Sequence, residues 1–128
     1  MGEPNLKSRT RSDYVYFLSY RTRWSNCGLD PVSSPLIGLV VSSYCQFFAP
    51  LGFPQVLDLG LRVNTLGNSS VSYEIGVFEQ GKDIPAAVGG YTHVFVGSKS
   101  RKSTPMAKET KTGLEKLLQL DTKDKAKL

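Results

Sequence analysis

The stretch LGLRVNTLGNSSVSYEIGVF, residues 59–78, decides the fold. Just before its turn, apolar side chains take every second position of the chain: Leu57, Leu59, Leu61 and Val63. After the turn the alternation resumes, opposite Ser70, Ser72 and Glu74: Val71, Tyr73, Ile75 and Val77. Leu66–Ser69, between the two runs, contains the Gly and Asn residues typical of a hairpin turn. The stretch therefore predicts two antiparallel strands that each have one apolar face.

Three further strands are predicted around this hairpin, at Tyr14–Trp24, Ile37–Phe48 and Ala86–Val96. Tyr, Phe, Val and Thr are frequent in these segments, and these residue types are enriched in strands. Residues 79–83, EQGKD, predict the turn that precedes the last strand. Ile37–Phe48 begins with a continuous apolar run, so we expect this strand to be buried on both of its faces.

One helix is predicted after the strands, at Glu109–Leu120. Its leucines Leu114, Leu117 and Leu118 share a narrow apolar face. The predicted fold class is thus α+β, with an antiparallel sheet and one short C-terminal helix. Such a sheet has an apolar face that must be buried, and one short helix covers little of it.

Length and composition fit a single folded domain, since 40% of the 128 residues are hydrophobic and 21% are charged. We expect a loose polar arm at residues 1–13, the domain at 14–120 and a charged tail at 121–128. The net charge of +5 lies at the C-terminal end, because nine basic and four acidic residues follow position 97. A nucleic-acid site would instead combine basic and aromatic side chains on the folded face. The charge therefore favours a solvated basic tail over nucleic-acid binding.

The sequence also disfavours a membrane protein and a zinc protein. Its longest apolar run, Pro35–Val41, has the length of a strand and falls far short of the roughly 18 residues of a membrane helix. Cys27 and Cys45 follow no recognisable secretory signal, which indicates free thiols in a reducing compartment. With His93, the single histidine, they are too few for a four-ligand zinc site, and no metal or cofactor is predicted. His93 is interpreted as a strand residue that packs locally.

Several segments together resemble the hotdog-fold acyl-CoA thioesterases of the 4-hydroxybenzoyl-CoA thioesterase type. The similar segments run from the first strand to the helix: YRTRWS at Tyr20–Ser25, IGLVVSSYCQFFAPLGFP at Ile37–Pro54, the hairpin at 59–78, VGGYTHVFV at Val88–Val96 and GLEKLL at Gly113–Leu118. The likeness covers most of residues 14–118. It implies a hotdog-like sheet curled around a long central helix, and hydrolysis of acyl-CoA to a free acid and coenzyme A without a metal.

The resemblance is interrupted after Ser25. Family members continue there with D-x-D-x-x-G-H-V-N-N, which opens the central helix. This chain continues with NCGLDP, residues 26–31, which resembles the segment that follows that helix. We therefore expect that the central helix and its connections, roughly thirty residues, are missing. Asn26 stands near the position of the first family aspartate, and an amide cannot act as a general base.

In the family, the segment missing here carries the catalytic aspartate and the helix N-terminus that stabilises the oxyanion. The resemblance therefore implies that this chain has no catalytic residue and is inactive as written. The helix would have covered apolar side chains such as those of the row that starts at Leu57, so we also expect poor stability. The alternative is a non-catalytic hotdog subunit or truncated isoform that acts only by association. In either case we expect a homo-oligomer that forms through sheet edges.

Two basic features of the C-terminal part remain. Lys99, Arg101 and Lys102 follow the last strand, and the resemblance makes them candidates for binding the phosphates of coenzyme A. A solvated basic loop is the alternative. The last three residues, Ala126-Lys127-Leu128, resemble the small-basic-Leu signal of peroxisomal matrix proteins. The expected location is the peroxisome, and otherwise the cytoplasm.

Overall fold

The computed structural model of the chain describes residues 5–19 and 35–126. Its five strands form one sheet: β1 (Tyr16–Ser19), β2 (Leu36–Phe47), β3 (Leu57–Leu66), β4 (Ser70–Glu79) and β5 (Ala87–Gly97). The α-helix α1 (Lys108–Ala126) follows, and two short 3-10 turns, Leu6–Ser8 and Arg11–Asp13, precede β1. All neighbouring strands are antiparallel, in the order β1-β3-β4-β5-β2.

The predicted sheet with one C-terminal helix is confirmed, and so are both hairpin turns. The Gly67 N–H donates to the Ser70 carbonyl at 2.8 Å, which closes the turn between β3 and β4. The Lys82 N–H donates to the Glu79 carbonyl at 3.1 Å beside Gly81, whose φ of 85° suits a glycine. β1 and β2 follow each other in the chain but lie at opposite edges of the sheet. Residues 35–50 contain no helix, as predicted, while residues 20–34 lie outside the described part.

One face of the sheet packs on α1, and we call it the helix face. Val63 and Val71 are almost completely buried there, and they pack with Phe95, Met106 and Leu114 in one hydrophobic cluster. Further side chains, partly buried, pack around this cluster: Leu66, Tyr73, Leu117 and Leu118. The alternation of β3 and β4 that predicts the hairpin therefore also selects the residues that meet the helix.

Residues 5–15, which we call the N-terminal strap, cover the other face of the sheet, the strap face. The Tyr14 ring, 4% exposed, lies over Gly60 and Gly76, two glycines that are paired across β3 and β4. A Cβ atom at Gly76 would lie only 2.7 Å from that ring. Arg62 and Glu74 are buried on this face as well. Glycine at both positions thus makes room for the strap.

Residues 5–13 do not form the loose arm that their polar composition predicts. They contain both 3-10 turns, and Arg9 and Arg11 form ion pairs with Glu74 and Asp58 of the sheet. The helix also extends further than the predicted Glu109–Leu120, since residues 121–126 contain no glycine or proline to end it. The overall division into arm, domain and tail stays a prediction.

The prediction that the second strand is buried on both faces is wrong. β2 is an edge strand that pairs with β5 only, and residues 38–47 of it are exposed. Cys45, which lies in this strand, is also exposed. An apolar run indicates that burial of a strand is favourable. It does not show whether another strand or helix of the same chain packs against that strand.

Candidate functional site

α1 covers the helix face at one end only. Beyond Val63 and Tyr73, the same face continues with a row of apolar side chains that are only partly buried: Leu59, Leu61, Ile75 and Val77. We call these four residues the far half of the helix face. Leu59 and Leu61 belong to the row that the resemblance assigns to contact with the central helix, and Val77 and Ile75 are paired with them across β3 and β4. The far half is therefore the part of the sheet where a family-type site would be built.

An aromatic cluster lies on the helix face beside the far half. Tyr73 is paired with Tyr91 across β4 and β5, and their ring centroids are 5.1 Å apart. His93 lies two residues further along β5, with its ring 4.8 Å from Tyr91 and 5.8 Å from Tyr73. Because residues two apart in a strand share a face, Tyr91 and His93 are brought together by the strand itself. Tyr73 joins them through the register of the sheet.

Burial disfavours the charged forms of the groups in this cluster. It raises the pKa of Tyr73 to about 12, with a smaller contribution from Tyr91. It also raises the pKa of Tyr91 and lowers the pKa of His93 below its ordinary value. His93 packs against rings, in agreement with its interpretation as a packing residue. The cluster is thus a neutral aromatic surface, which suits contact with apolar or planar groups better than proton transfer.

The acidic side chains of the sheet are paired with basic ones. Asp58 lies 2.8 Å from Arg11, and Glu79 lies 2.8 Å from Lys82. Glu74 is completely buried and pairs with Arg9 at 2.9 Å. These three carboxylates are the only ones on strands in the described part of the chain. Within that part, the strands present no unpaired carboxylate that could serve as a general base toward the far half.

Lys99, Arg101 and Lys102 come together in the turn after β5. The Arg101 N–H donates to the Gly97 carbonyl at 2.9 Å, and the Gly97 N–H donates to the Lys102 carbonyl at 3.1 Å. All three basic side chains are exposed. Arg101 has φ of 59°, in the left-handed region that is uncommon for residues other than glycine. The Ser98 N–H donates to the Pro35 carbonyl at 2.9 Å, which places this basic turn beside the start of β2.

The edge formed by β2 carries large apolar side chains in solvent. Their exposed fractions are substantial for such residues: Leu39 38%, Val40 56%, Val41 60%, Tyr44 45% and Phe47 78%. At the opposite edge, the described part of the chain includes residues 16–19 of β1. Long, exposed apolar edge strands are uncommon in monomers because their unpaired backbone groups and side chains favour association. The β2 edge is thus the candidate interaction surface of the molecule.

Several of the predictions concern residues that the structure does not describe. The segment Tyr20–Ser25, with Asn26 and Cys27, and the terminal Lys127-Leu128 are not described. In residues 5–19 and 35–126, no three His, Cys, Asp or Glu side chains gather as metal ligands would. None of the helices described is long and apolar enough to cross a membrane. The expected absence of a catalytic residue stays a prediction.

Comparison with known proteins agrees with this architecture. The sequence profile of the thioesterase superfamily matches residues 19–86. The PA5185 protein from Pseudomonas aeruginosa strain PAO1 is 35% identical, with a TM-score of 0.77 over 86% of this chain and 96% of that chain. The fold is a hotdog-like sheet. The chain belongs to the thioesterase superfamily.

More distant solved structures share the fold. The 1,4-dihydroxy-2-naphthoyl-CoA thioesterase from Synechocystis has 18% identity and a TM-score of 0.60, over 65% of this chain and 61% of that chain. A gentisyl-coenzyme A thioesterase has 22% identity and a TM-score of 0.54, over 63% of this chain and 61% of that one. The chain thus spans about three fifths of the length of these two enzymes. No curated protein sequence matches the chain significantly.

Proposed function

We propose that this chain derives from an acyl-CoA thioesterase whose intact form hydrolyses acyl-CoA to a free acid and coenzyme A, and that the chain as written is inactive. Membership of the thioesterase superfamily carries the first part of the proposal. Two structural relatives are named as thioesterases of aryl-CoA substrates, which favours a coenzyme A thioester as the substrate class.

The proposed inactivity has a chemical reason. Thioester hydrolysis needs a carboxylate that activates water or attacks the carbonyl, and donors that stabilise the oxyanion. In the described part of the chain, each carboxylate of the strands is held by an arginine or a lysine. The family segment with the aspartate and the helix N-terminus has no counterpart after Ser25. The proposed deletion rests on this sequence departure, since the structural relatives differ in the share of their length that the chain covers.

The test is to compare the chain with a version that carries a family-type D-x-D-x-x-G-H helix after Ser25. Thiol release from acyl-CoA is measured for both. The restored version should be faster by at least about 10²–10³, the effect of losing even one oxyanion donor. Equal rates would mean that the catalytic groups lie elsewhere in the chain. The coding sequence between Ser25 and Cys27 decides separately whether the deletion is a true isoform.

Lys99, Arg101 and Lys102 are proposed to bind the phosphates of coenzyme A. Their position in one exposed turn supports this proposal, because phosphate recognition needs several cationic donors at one place. In the restored version, replacement of Arg101 and Lys102 by glutamine should raise KM for acyl-CoA several-fold. Lys116→Gln and Lys108→Gln on α1 provide a control of equal charge. If both pairs of replacements change KM equally, the basic turn is only a solvated loop.

The alternative function is a non-catalytic subunit that associates through β2. The exposed apolar side chains of this edge favour pairing with a second copy or with an intact protomer. Replacing Val41 by lysine at the edge should shift the chain toward monomer in sedimentation experiments. Val56→Lys, at an exposed apolar residue between β2 and β3, is the matched control. An unchanged oligomeric state in the Val41 variant would exclude this edge as the interface.

The terminal Ala126-Lys127-Leu128 is proposed to direct the chain to peroxisomes. A fluorescent protein that carries the last twelve residues of the chain should then enter peroxisomes, and removal of Leu128 should leave it in the cytosol. Diffuse fluorescence of both fusions would contradict the proposal.

A further inference from the structure

Glu74 lies in the middle of the strap face with no exposed surface. Arg9 Nε lies 2.9 Å from its Oε2 atom, and Arg9 Nη2 donates to Oε1 at 3.1 Å. The Tyr14 hydroxyl donates to Oε2 at 2.8 Å, and the Asn64 amide donates to Oε1 at 3.2 Å. A buried carboxylate is stable only with such partners. Two of these three partners belong to the N-terminal strap.

Arg11 anchors the strap at a second point. Its Nη2 atom lies 2.8 Å from the Asp58 carboxylate and donates to the Glu79 carbonyl at 3.2 Å. Its guanidinium lies over two rings, with 5.4 Å to the centroid of Phe17 and 5.0 Å to that of Phe78. The strap is thus held by two ion pairs to the sheet, one from Arg9 and one from Arg11, the first residue of its second 3-10 turn.

The strap continues directly into β1. The Val15 N–H donates to the Leu61 carbonyl at 3.0 Å, and the four residues of β1 then pair with β3 alone. An edge strand that pairs with a single neighbour has little stability of its own. In the described part of the chain, side chains of the strap bond to β3, β4 and the 79–82 turn, and β1 pairs with β3. The strap and β1 therefore form one unit that docks on the rest of the sheet.

We propose that the N-terminal strap is a lock for β1: while Arg9 and Tyr14 hold Glu74, β1 stays docked on β3. Release of the strap frees β1, whereas β4, β5 and β2 stay folded through their own ladders and the core under α1. β1 leads into residues 20–34, where the resemblance places the departure from the family. This inference does not depend on thioester hydrolysis.

Hydrogen exchange of the full chain tests the lock. Glu74→Gln keeps the shape of the side chain and removes the charge that holds Arg9. It should speed amide exchange of residues 15–19 about tenfold or more, and leave the amides of β5 within about twofold of the unchanged chain, because local opening is separable from global unfolding. Trypsin should also cleave after Arg9 and Arg11 faster in this variant. Equal acceleration in β1 and β5, or none in either, would overturn the proposal.

Two further variants keep the test decisive if Glu74→Gln does not fold. Tyr14→Phe leaves the ring over the glycines and removes one hydrogen bond to Glu74, so exchange of residues 15–19 should rise about fivefold. In the double variant Arg9→Met with Glu74→Gln, amide exchange of residues 15–19 should be no faster than in either single variant, because the two side chains act as a pair. Glu109→Gln, on the exposed side of α1, is the control and should change nothing. Unchanged exchange in Tyr14→Phe, or simple additivity in the double variant, would contradict the lock.

Discussion

The two faces of this sheet are closed by different physical means. On the strap face, a segment of the same chain supplies the partners of a buried carboxylate, and two paired glycines make room for an aromatic ring. On the helix face, contact is almost entirely apolar, and α1 reaches only the end near Val63 and Phe95. The buried carboxylate of the strap face therefore has its partners within the described chain, whereas the apolar row of the helix face continues beyond the part that α1 covers.

This difference shows which kind of face tolerates a missing segment. Polar partners are specific, so the strap face would be strongly destabilised by the loss of either member of the Arg9–Glu74 pair. Apolar contacts are not specific, and the far half of the helix face can be covered by any apolar surface that reaches it. The far half is therefore the part of the sheet most able to accept a substitute for the proposed missing helix. Each prediction below tests one of the two faces.

The largest effect is expected from restoring a family-type helix after Ser25. Covering the far half would bury four large apolar side chains more completely, each worth up to about 1.5–3 kcal/mol. The melting transition should become cooperative and move upward by many degrees, and the chain as written should associate or aggregate more readily. Denaturant unfolding of both versions measures this. A chain that already melts cooperatively as a monomer would show that its helix face is closed without the extra segment.

A matched pair of truncations compares the covered end with the far half. Leu114 of α1 is buried in the core cluster, so Leu114→Ala should cost about 2–4 kcal/mol of unfolding free energy. Leu59 is only partly buried, and Leu59→Ala should cost about half as much or less, because solvent already reaches the side chain. Urea unfolding gives both values. Equal losses would mean that α1 is not the main cover of this face.

A matched pair of glycine substitutions tests the strap face. A Cβ atom at Gly76 meets the Tyr14 ring at 2.7 Å and the Phe78 ring at 2.8 Å, so Gly76→Ala should cost about 1–3 kcal/mol through overpacking. Gly113 lies in α1 with no atom within 4 Å of the added Cβ, and Gly113→Ala should instead stabilise by about 0.5–1 kcal/mol. Thermal unfolding shows whether each substitution lowers or raises the stability of the chain. A neutral Gly76→Ala would show that the strap is not seated firmly on the glycines.

The predictable parts of the fold were those encoded by neighbouring residues. The alternation of Leu57 to Val63 and of Val71 to Val77 is local, and so the hairpin and its turn could be predicted from sequence alone. A glycine inside a strand is typical of a close backbone approach, and Gly89-Gly90 in β5 fits this pattern. A Cβ atom at Gly90 would lie 2.6 Å from the Tyr73 carbonyl oxygen.

The parts that could not be predicted depend on residues far apart in sequence. Arg9 and Glu74 are separated by 65 positions, and the alternation in β4 places Glu74 with the polar residues of its strand. The sequence around Arg9 and around Glu74 does not indicate that these two side chains form a buried ion pair. The exposed position of β2 likewise follows from the order of strands, which is set by pairing with β5 rather than by the run of apolar residues. In the aromatic cluster, Tyr91 and His93 are two residues apart in one strand, so the sequence alone places them on the same face. The position of Tyr73 beside them follows only from the register of β4 with β5.

The smallest expected effect is a pH dependence from the helix face. Burial lowers the pKa of His93, so the folded state binds a proton less readily than the unfolded state. As the pH falls below the ordinary histidine value of about 6.5, the unfolded state gains protons first, and stability must therefore decrease. Above that value the contribution of neutral His93 to the stability of the fold is fully present.

His93→Gln removes this titration, so the melting temperature of the variant should fall less than that of the unchanged chain between pH 7 and about pH 5. All other titratable groups are the same in both proteins, so the difference between them isolates His93. An identical decrease in both would show that His93 is as easily protonated in the folded chain as in the unfolded one, and that the aromatic cluster is open to water.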